Sequence, residues 1–124
     1  RDSKMYLDLS MDQRSCDMFL GVPFNIAGYA LFDHMVAHCV DMVPGELVIT
    51  HEDCHIYLAG LGNEGKPIWS QGHLKQVNKQ LKREPMKAPK LWLNPLVQDI
   101  DDFTMEDIKL IGYKSHEKIP ATLL

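Results

Sequence analysis

The sequence is short of cysteine, of net charge and of long apolar runs. Its 124 residues include three cysteines, none in a Cys-x-x-Cys pair, so we expect reduced thiols and a cytoplasmic location. A formal charge of −4 argues against a strongly basic nucleic-acid coat, and no specific nucleic-acid partner is expected. No apolar run is long enough for a membrane span, and the N-terminus shows no apolar signal segment. A hydrophobic content of 45% excludes a disordered chain and predicts one folded domain.

The hydrophobic pattern predicts a mixture of strands and helices, that is, the α+β class. Residues 5–11 alternate with a period of two, as in a strand with one buried face. Residues 24–42 are almost all apolar, which predicts a long buried central helix ended by Pro44-Gly45. Further elements are expected along the rest of the chain: strands at 47–49, 55–57, 91–93 and 108–113, a helix at 73–83, a loop at 59–72 and a helix N-terminus at Thr104.

Two polar groups near the first strand and the central helix are candidates for ligand binding. Arg14 and Ser15 combine a guanidinium fork with a hydroxyl, which can clamp a phosphate; the alternative is a surface ion pair between Arg14 and Asp17. Asn25 lies where the helix is expected to begin, so its side chain can cap the helix. Alternatively, its carboxamide can accept from N3–H and donate to O4 of uracil, a pattern that cytosine reverses.

Histidines supply further candidates. His55 and Tyr57, two apart on an expected strand, share one face and can together bind a sugar hydroxyl; the alternative is a half-buried histidine with a satisfied ring. The histidine, aspartate and cysteine residues within 51–55 match no standard zinc spacing, so no metal site is expected. His34 and His38, on the apolar helix, are expected to be buried and hydrogen-bonded.

Covalent catalysis would need a reactive cysteine beside a base or an arginine. Cys39 lies in the middle of the apolar helix and should be inert. Cys54 neighbours His55, but the two side chains point to opposite sides of a strand. Cys16 is the only arguable nucleophile, because it lies close to Arg14.

A series of sequence blocks, in one order along nearly the whole chain, resembles the thymidylate synthase family. The first block is a continuous run at 13–27, Gln-Arg-Ser-Cys-Asp-Met-Phe-Leu-Gly-Val-Pro-Phe-Asn-Ile-Ala. The other blocks follow at 35–38, 44–46, 53–57, 80–85, 100–103 and 112–113. The resemblance implies a thymidylate synthase-like fold, in which a mixed β-sheet packs on a long buried central helix. It also implies that residues 1–124 are the C-terminal portion of one such domain.

The resemblance assigns site residues in four groups. It implies that the substrate phosphate binds Gln13, Arg14 and Ser15, the base Asn25 and Asp17, the ribose His55 and Tyr57, and the folate Asp17, Leu20, Gly21 and Phe24. The implied ligands are therefore dUMP and a reduced folate, 5,10-methylenetetrahydrofolate, with no metal. Members are homodimers through a β-sheet face, for which the strand at 5–11 is a candidate.

The chemistry implied by the resemblance is reductive methylation. A cysteine thiolate adds to C6 of the pyrimidine, C5 attacks the methylene carbon of the folate, and the folate then donates a hydride, giving dTMP and dihydrofolate. In the family this nucleophile lies in a Pro-Cys-His segment upstream of the strand that leads to Gln13, and Cys16 matches a non-catalytic position. We therefore expect a methyltransferase as the full-length protein and no activity from these 124 residues alone.

Some positions depart from the family pattern. Asp12 stands where many members have an aromatic residue, and residues 58–72 look like a loop insertion that precedes His73, the match to a family histidine. The C-terminal residues 119–124 differ from the tail that closes over the folate in the family. These departures leave two alternatives open: a dUMP hydroxymethylase of the same family, and a catalytically inactive nucleotide-binding module.

Overall fold

The computed structural model describes residues 3–58 and 72–122 of the chain. The elements of these residues are β1 (Tyr6–Asp17), α1 (Gly21–Cys39), β2 (Val43–His55), α2 (Leu74–Gln80), β3 (Lys90–Leu93) and β4 (Ile108–Ile111). Short 3-10 turns at Ile100–Asp102 and Met105–Asp107 join β3 to β4. This mixture confirms the α+β class. Within the described ranges, no helix is both long and apolar enough to cross a membrane.

The first three elements form one β-α-β unit. β1 and β2 pair in parallel, in a register that runs from Tyr6 opposite Val43 to Asp17 opposite His55. Parallel pairing brings the carboxyl ends of both strands, and the start of α1, to the same edge. One further backbone bond, from the Met18 N–H to the His55 carbonyl at 3.0 Å, extends the pairing beyond Asp17. The strand expected at 5–11 is confirmed and continues to Asp17.

α1 begins earlier than the sequence pattern predicts, at Gly21 instead of residue 24. Pro23 does not prevent this start, because the first turn of a helix has no internal partners for its N–H groups. Asp17 Oδ1 accepts from the backbone N–H groups of Phe19 and Leu20 at 3.1 and 3.4 Å, which satisfies the polar groups of the turn before the helix.

The end of α1 is also set by backbone bonds. Asp41 adopts a φ of 54°, the N–H of Met42 donates to the Ala37 carbonyl at 2.9 Å, and the N–H of Asp41 donates to the His38 carbonyl. A residue in the left-handed region, together with these two hydrogen bonds back to the last turn, is a Schellman motif. This motif ends the helix at Cys39. Pro44-Gly45 therefore follows the helix and lies within β2 instead of ending α1.

The prediction that α1 is a buried helix is not confirmed. Only Val22, Asp33 and Ala37 of its 19 residues are buried, and Phe24 is 78% exposed. The physical reason is geometric: β1, β2 and the 3-10 turn at Ile100–Asp102 cover only part of the helix surface. Several large apolar side chains stay exposed among the described residues, namely Phe24, Ile26, Tyr29 and Phe32. Of the two histidines expected to be buried, His34 is exposed.

His38, by contrast, is partly buried, and its Nε2 lies 2.8 Å from the Val97 carbonyl. Its ring also meets Phe103 edge to face, with the centroids 5.8 Å apart. These contacts tie the last turn of α1 to the 3-10 region that follows β3. The expectation of a hydrogen-bonded histidine on this helix is therefore correct for His38.

Gly45 of β2 lies in close contact with the backbone of β1. A Cβ atom at this position would overlap the Asp8 side chain and would lie 2.6 Å from the Leu7 carbonyl oxygen. The Asp8 carboxylate accepts from the Glu46 N–H at 2.8 Å, and the register shifts between Leu7 and Leu9. Glycine is thus required here by lack of space.

The strands do not form the expected mixed sheet. Across the described residues, β1 pairs with β2 in parallel and β3 pairs with β4 antiparallel, in two separate sheets. The strand expected at 47–49 is part of β2, which continues without a turn to His55. The separate strand expected at 55–57 is not confirmed, because only its first residue belongs to β2 and residues 56–57 follow the end of the strand. The strand at 91–93 is confirmed, and the last strand stops at Ile111 before Gly112, whose φ is 76°.

The Thr104 N-terminus is confirmed by its contacts. The Asp107 Oδ2 atom accepts from the Thr104 N–H at 3.0 Å and from the Thr104 hydroxyl at 2.7 Å. Its Oδ1 accepts from the Asn94 amide at 2.7 Å, which joins the end of β3 to the start of β4. These bonds to Asn94 and Thr104 lower the pKa of Asp107 below the usual value for a carboxyl group.

Candidate functional site

The candidate site lies at the carboxyl ends of β1 and β2. Ligands of parallel sheets bind at this edge, because it collects strand ends and helix N-termini. Asp17 and His55 are register partners there, although they come from opposite sides of α1 in the sequence. The edge also receives the first turns of α1 and the segment that continues from β2 to Tyr57.

Gly21 lies between two of the predicted site residues. A Cβ atom built at Gly21 would be 3.4 Å from Asp17 Cβ and 3.6 Å from Asn25 Oδ1. The carboxylate and the amide therefore lie on either side of the first turn of α1. Asp17 is held there by its two backbone bonds, and the positive end of the helix dipole favours a carboxylate at this place.

Asn25 does not cap α1. It lies one turn inside the helix, and the capping position belongs to Leu20, which makes no side-chain capping bond. Instead, the Gln13 Nε2 group donates to Asn25 Oδ1 at 2.9 Å and to the Ser15 carbonyl at 3.0 Å. The contact with Gln13 fixes which way the Asn25 amide faces, a role that strand spacing alone did not reveal. The Gln13 Oε1 atom is buried and has no partner among the described residues.

The Arg14–Asp17 ion pair is absent from the described residues. Asp17 instead accepts from the backbone N–H groups of the turn that follows it. Arg14 and Ser15 are both exposed at the end of β1. Both donors are therefore accessible to a ligand from solvent.

His55 and Tyr57 are brought together by β2 and the segment after it. Their rings meet edge to face, with centroids 5.1 Å apart. His55 Nδ1 lies 3.1 Å from the Asp53 carbonyl, so in the neutral ring Nδ1 carries the proton and Nε2 is the acceptor. The pair thus presents a ring nitrogen and a phenol to the edge where Asp17 lies.

Sequence reasoning assigned no role to His73, although the structure buries it completely. Its ring stands 5.8 Å from Tyr57 and 5.5 Å from Phe19, centroid to centroid. Its backbone N–H donates to the Tyr57 carbonyl at 2.8 Å. Its Nε2 lies 2.9 Å from the Thr122 carbonyl near the C-terminus. The match of His73 to a family histidine marked this position in the sequence, but it did not indicate these contacts.

None of the three cysteines has the surroundings of a nucleophile. Cys16 is fully buried, its thiol donates to the Gln13 carbonyl, and burial raises its pKa, with the neighbouring Cys54 adding to the effect. Cys54 is the register partner of Cys16 and is exposed, and Cys39 lies in α1 away from this edge. The raised pKa keeps Cys16 protonated at neutral pH.

Other predicted residues lie at the same edge with different exposure. Leu20 and Gly21 are half-buried at the start of α1, and Phe24 is 78% exposed. Within residues 3–58 and 72–122, no three histidine, cysteine or acidic side chains come together as metal ligands. The insertion predicted at 58–72 lies outside the described residues, apart from its first and last positions.

The fold is a β-α-β unit that brings polar side chains together at the carboxyl ends of its two parallel strands. The sequence profile described as thymidylate synthase matches residues 2–124, and the chain belongs to that family. The family consists of methyltransferases of nucleotide biosynthesis.

Two relatives support the assignment. The chain is 46% identical over 117 residues to a thymidylate synthase of Symbiobacterium thermophilum, an alignment that covers 94% of this chain and 37% of the relative. Its structure is similar to thermostable thymidylate synthase A from Bacillus subtilis, with a TM-score of 0.78, 35% identity, and coverage of 95% of this chain and 38% of that one. The chain thus spans well under half the length of both relatives.

Proposed function

We propose that this chain carries the nucleotide-binding residues of a thymidylate synthase, an enzyme that methylates dUMP to dTMP with 5,10-methylenetetrahydrofolate. The supporting observation is that Asp17, Asn25 and His55, from three separate parts of the sequence, lie at one edge of the parallel strands. A nucleotide has three chemically distinct parts, and this edge offers a different set of polar groups for each part.

The base is read by Asn25. Because Gln13 donates to one lone pair of Asn25 Oδ1, the second lone pair is available to accept from N3–H of uracil. The Nδ2 group of Asn25 then donates to O4. Cytosine carries an acceptor at N3 and a donor at C4, so an Asn25 amide fixed in this orientation can form neither hydrogen bond with it. Asp17 lies beside this amide and contributes to both the base and the folate sides of the site.

The sugar and the phosphate are bound by groups on either side of the base reader. The ribose 3′-hydroxyl donates to His55 Nε2 and contacts the Tyr57 phenol, which the edge-to-face ring contact holds nearby. Arg14 and Ser15 bind the 5′-phosphate, with the guanidinium as a two-pronged donor and the hydroxyl as a further donor. Gln13 supports this group through its bond to the Ser15 carbonyl.

The folate lies against the start of α1, on Leu20, Gly21 and Phe24. An exposed phenyl ring there can stack on the flat pterin. By the family resemblance, the thiolate that attacks C6 comes from a Pro-Cys-His segment outside these 124 residues. The raised pKa of the buried Cys16 thiol argues against Cys16 in that role. On this proposal the 124 residues alone are inactive, and the complete enzyme is a cytoplasmic homodimer.

The base-reading step is tested by Asn25→Asp. A carboxylate cannot donate to O4, and one lost bidentate contact is worth about 1–3 kcal/mol, so the dissociation constant for dUMP should rise by roughly 5- to 150-fold. Asn78→Asp makes the same chemical change at an exposed position of α2 and should leave dUMP binding unchanged. The assignment of Asn25 would be overturned if both substitutions changed the affinity for dUMP equally. It would also be overturned if Asn25→Asp kept the wild-type preference for dUMP over dCMP.

Turnover distinguishes the reaction types. The protein that carries this chain together with its upstream segment is incubated with dUMP and 5,10-methylenetetrahydrofolate. Formation of dihydrofolate and dTMP supports the synthase. Formation of 5-hydroxymethyl-dUMP without dihydrofolate identifies the hydroxymethylase, and dUMP binding without turnover identifies an inactive binding module.

A further inference from the structure

We propose that His73 is a positioning residue that holds the nucleotide-binding edge and the C-terminal segment in place through two separate contacts. The inference rests on the proposed function, because Tyr57, one of its contacts, is there assigned to the ribose. His73 is 0% exposed, although histidine is a polar residue that is usually found at least partly in contact with water. A fully buried polar ring needs specific partners, and those partners indicate its role.

The first set of partners is aromatic. The His73 ring stands edge to face on Tyr57 and tilted on Phe19, while Tyr57 itself meets His55 edge to face. Phe19 belongs to the turn between β1 and α1, whose backbone is bound by Asp17. His73 therefore packs between the turn that leads into α1 and the pair of rings at the end of β2.

The second partner is the C-terminal segment. A carbonyl oxygen can only accept, so the 2.9 Å contact between His73 Nε2 and Thr122 requires a proton on Nε2. The main chain of His73 is fixed separately, by the bond from its N–H to the Tyr57 carbonyl. The imidazole thus has one face for aromatic packing and one N–H for holding residue 122. This division gives two separable functions to one side chain.

Two substitutions divide these functions. His73→Phe keeps an aromatic ring against Tyr57 and Phe19 but removes the donor to Thr122. His73→Gln keeps an amide donor that can reach the carbonyl but removes the ring. The control is His34→Phe, because it makes the same chemical change at an exposed position of α1, outside the C-terminal segment that His73 contacts.

Two readouts are compared in the full chain: the dissociation constant for dUMP, and hydrogen exchange of the peptide that covers residues 114–122. For His73→Phe we expect exchange of that peptide to rise about 2- to 12-fold, the equivalent of one lost hydrogen bond, with dUMP affinity within threefold of wild type. For His73→Gln we expect near wild-type exchange and a dissociation constant about 2- to 12-fold higher, from the lost aromatic contact. His34→Phe should change neither readout.

The outcomes separate the possibilities. If both His73 variants shift both readouts together, or neither shifts either one, His73 is a structural residue only and the proposal is overturned. If one variant does not fold, the other still tests one of the two contacts. His73→Phe tests the hydrogen bond to Thr122, and His73→Gln tests the aromatic packing. A third outcome is that the wild-type protein binds no dUMP while peptide exchange rises for His73→Phe and not for His73→Gln. In that case the proposed function fails, but the hydrogen bond from His73 to Thr122 is still supported.

Discussion

Adding one methyl group at Gly45 tests whether β1 and β2 are held in register by the close approach of their backbones. The new Cβ would overlap the Asp8 side chain and lie 2.6 and 3.0 Å from the carbonyl oxygen and carbon of Leu7. Backbone atoms of a paired strand cannot yield without losing ladder bonds. We expect about 1–3 kcal/mol from overpacking, and about 0.5–1.5 kcal/mol more if the bond from Glu46 to Asp8 is lost.

Gly28→Ala is the matched control for Gly45→Ala. Gly28 lies in the middle of α1, and nothing comes within 4 Å of a Cβ built there. Alanine favours a helix over glycine by about 0.8–1.0 kcal/mol, so this variant should be more stable than wild type. The same chemical change thus has opposite signs at two positions.

Urea unfolding followed by far-UV circular dichroism measures both variants against wild type. The free energy of unfolding should fall by roughly 1.5–4.5 kcal/mol for Gly45→Ala if both contributions apply. It should rise by about 1 kcal/mol for Gly28→Ala. A neutral Gly45→Ala would refute the close-approach argument, and a destabilising Gly28→Ala would refute the open space around α1.

Two further predictions concern titration and thiol chemistry. The folded-state pKa of Asp107 is lowered, so its ionised form contributes stability above the unfolded-state pKa, and this contribution is lost as the pH falls through the folded-state pKa. Asn94→Ala removes the 2.7 Å bond to Asp107, so NMR titration should show a higher pKa for Asp107. The variant should also lose less stability than wild type as the pH falls. An unchanged pKa would contradict this origin of the shift. The buried Cys16 thiol, with its raised pKa, should react with iodoacetamide much more slowly than the exposed Cys54 in native protein, and at a similar rate in urea. Mass spectrometry of the alkylated peptides measures both, and equal native rates would contradict the burial of Cys16.

Local periodicity predicted the elements whose residues interact mainly with near neighbours. The alternation at 5–11, the strand at 91–93 and the Thr104 turn were correct, because each depends on a short pattern or on contacts three residues apart. The start of α1 was placed too late, since a proline was read as a boundary although the first helical turn tolerates it. That error put Asn25 at a cap instead of inside the helix.

The contacts that shape the site were beyond local pattern. The bond between Gln13 and Asn25 depends on how α1 packs across β1, and the burial of His73 depends on a segment 49 positions further along the chain. The degree of burial of α1 likewise depends on which elements cover it, and the apolar composition of 24–42 could not report that. Family resemblance identified the candidate site residues, whereas the structure supplied the hydrogen bonds and ring contacts between them.

The parallel pairing of β1 and β2 has a consequence for the order of events during folding. Asp17 and His55 meet only when the whole of α1 has bridged the two strands, so the edge cannot assemble from a local hairpin. Closing such a loop costs chain entropy before any long-range contact compensates for it, which makes parallel pairing a slow step. On the proposed function, a nucleotide should therefore slow unfolding without accelerating folding, because the groups that bind it are still apart when the folding rate is set.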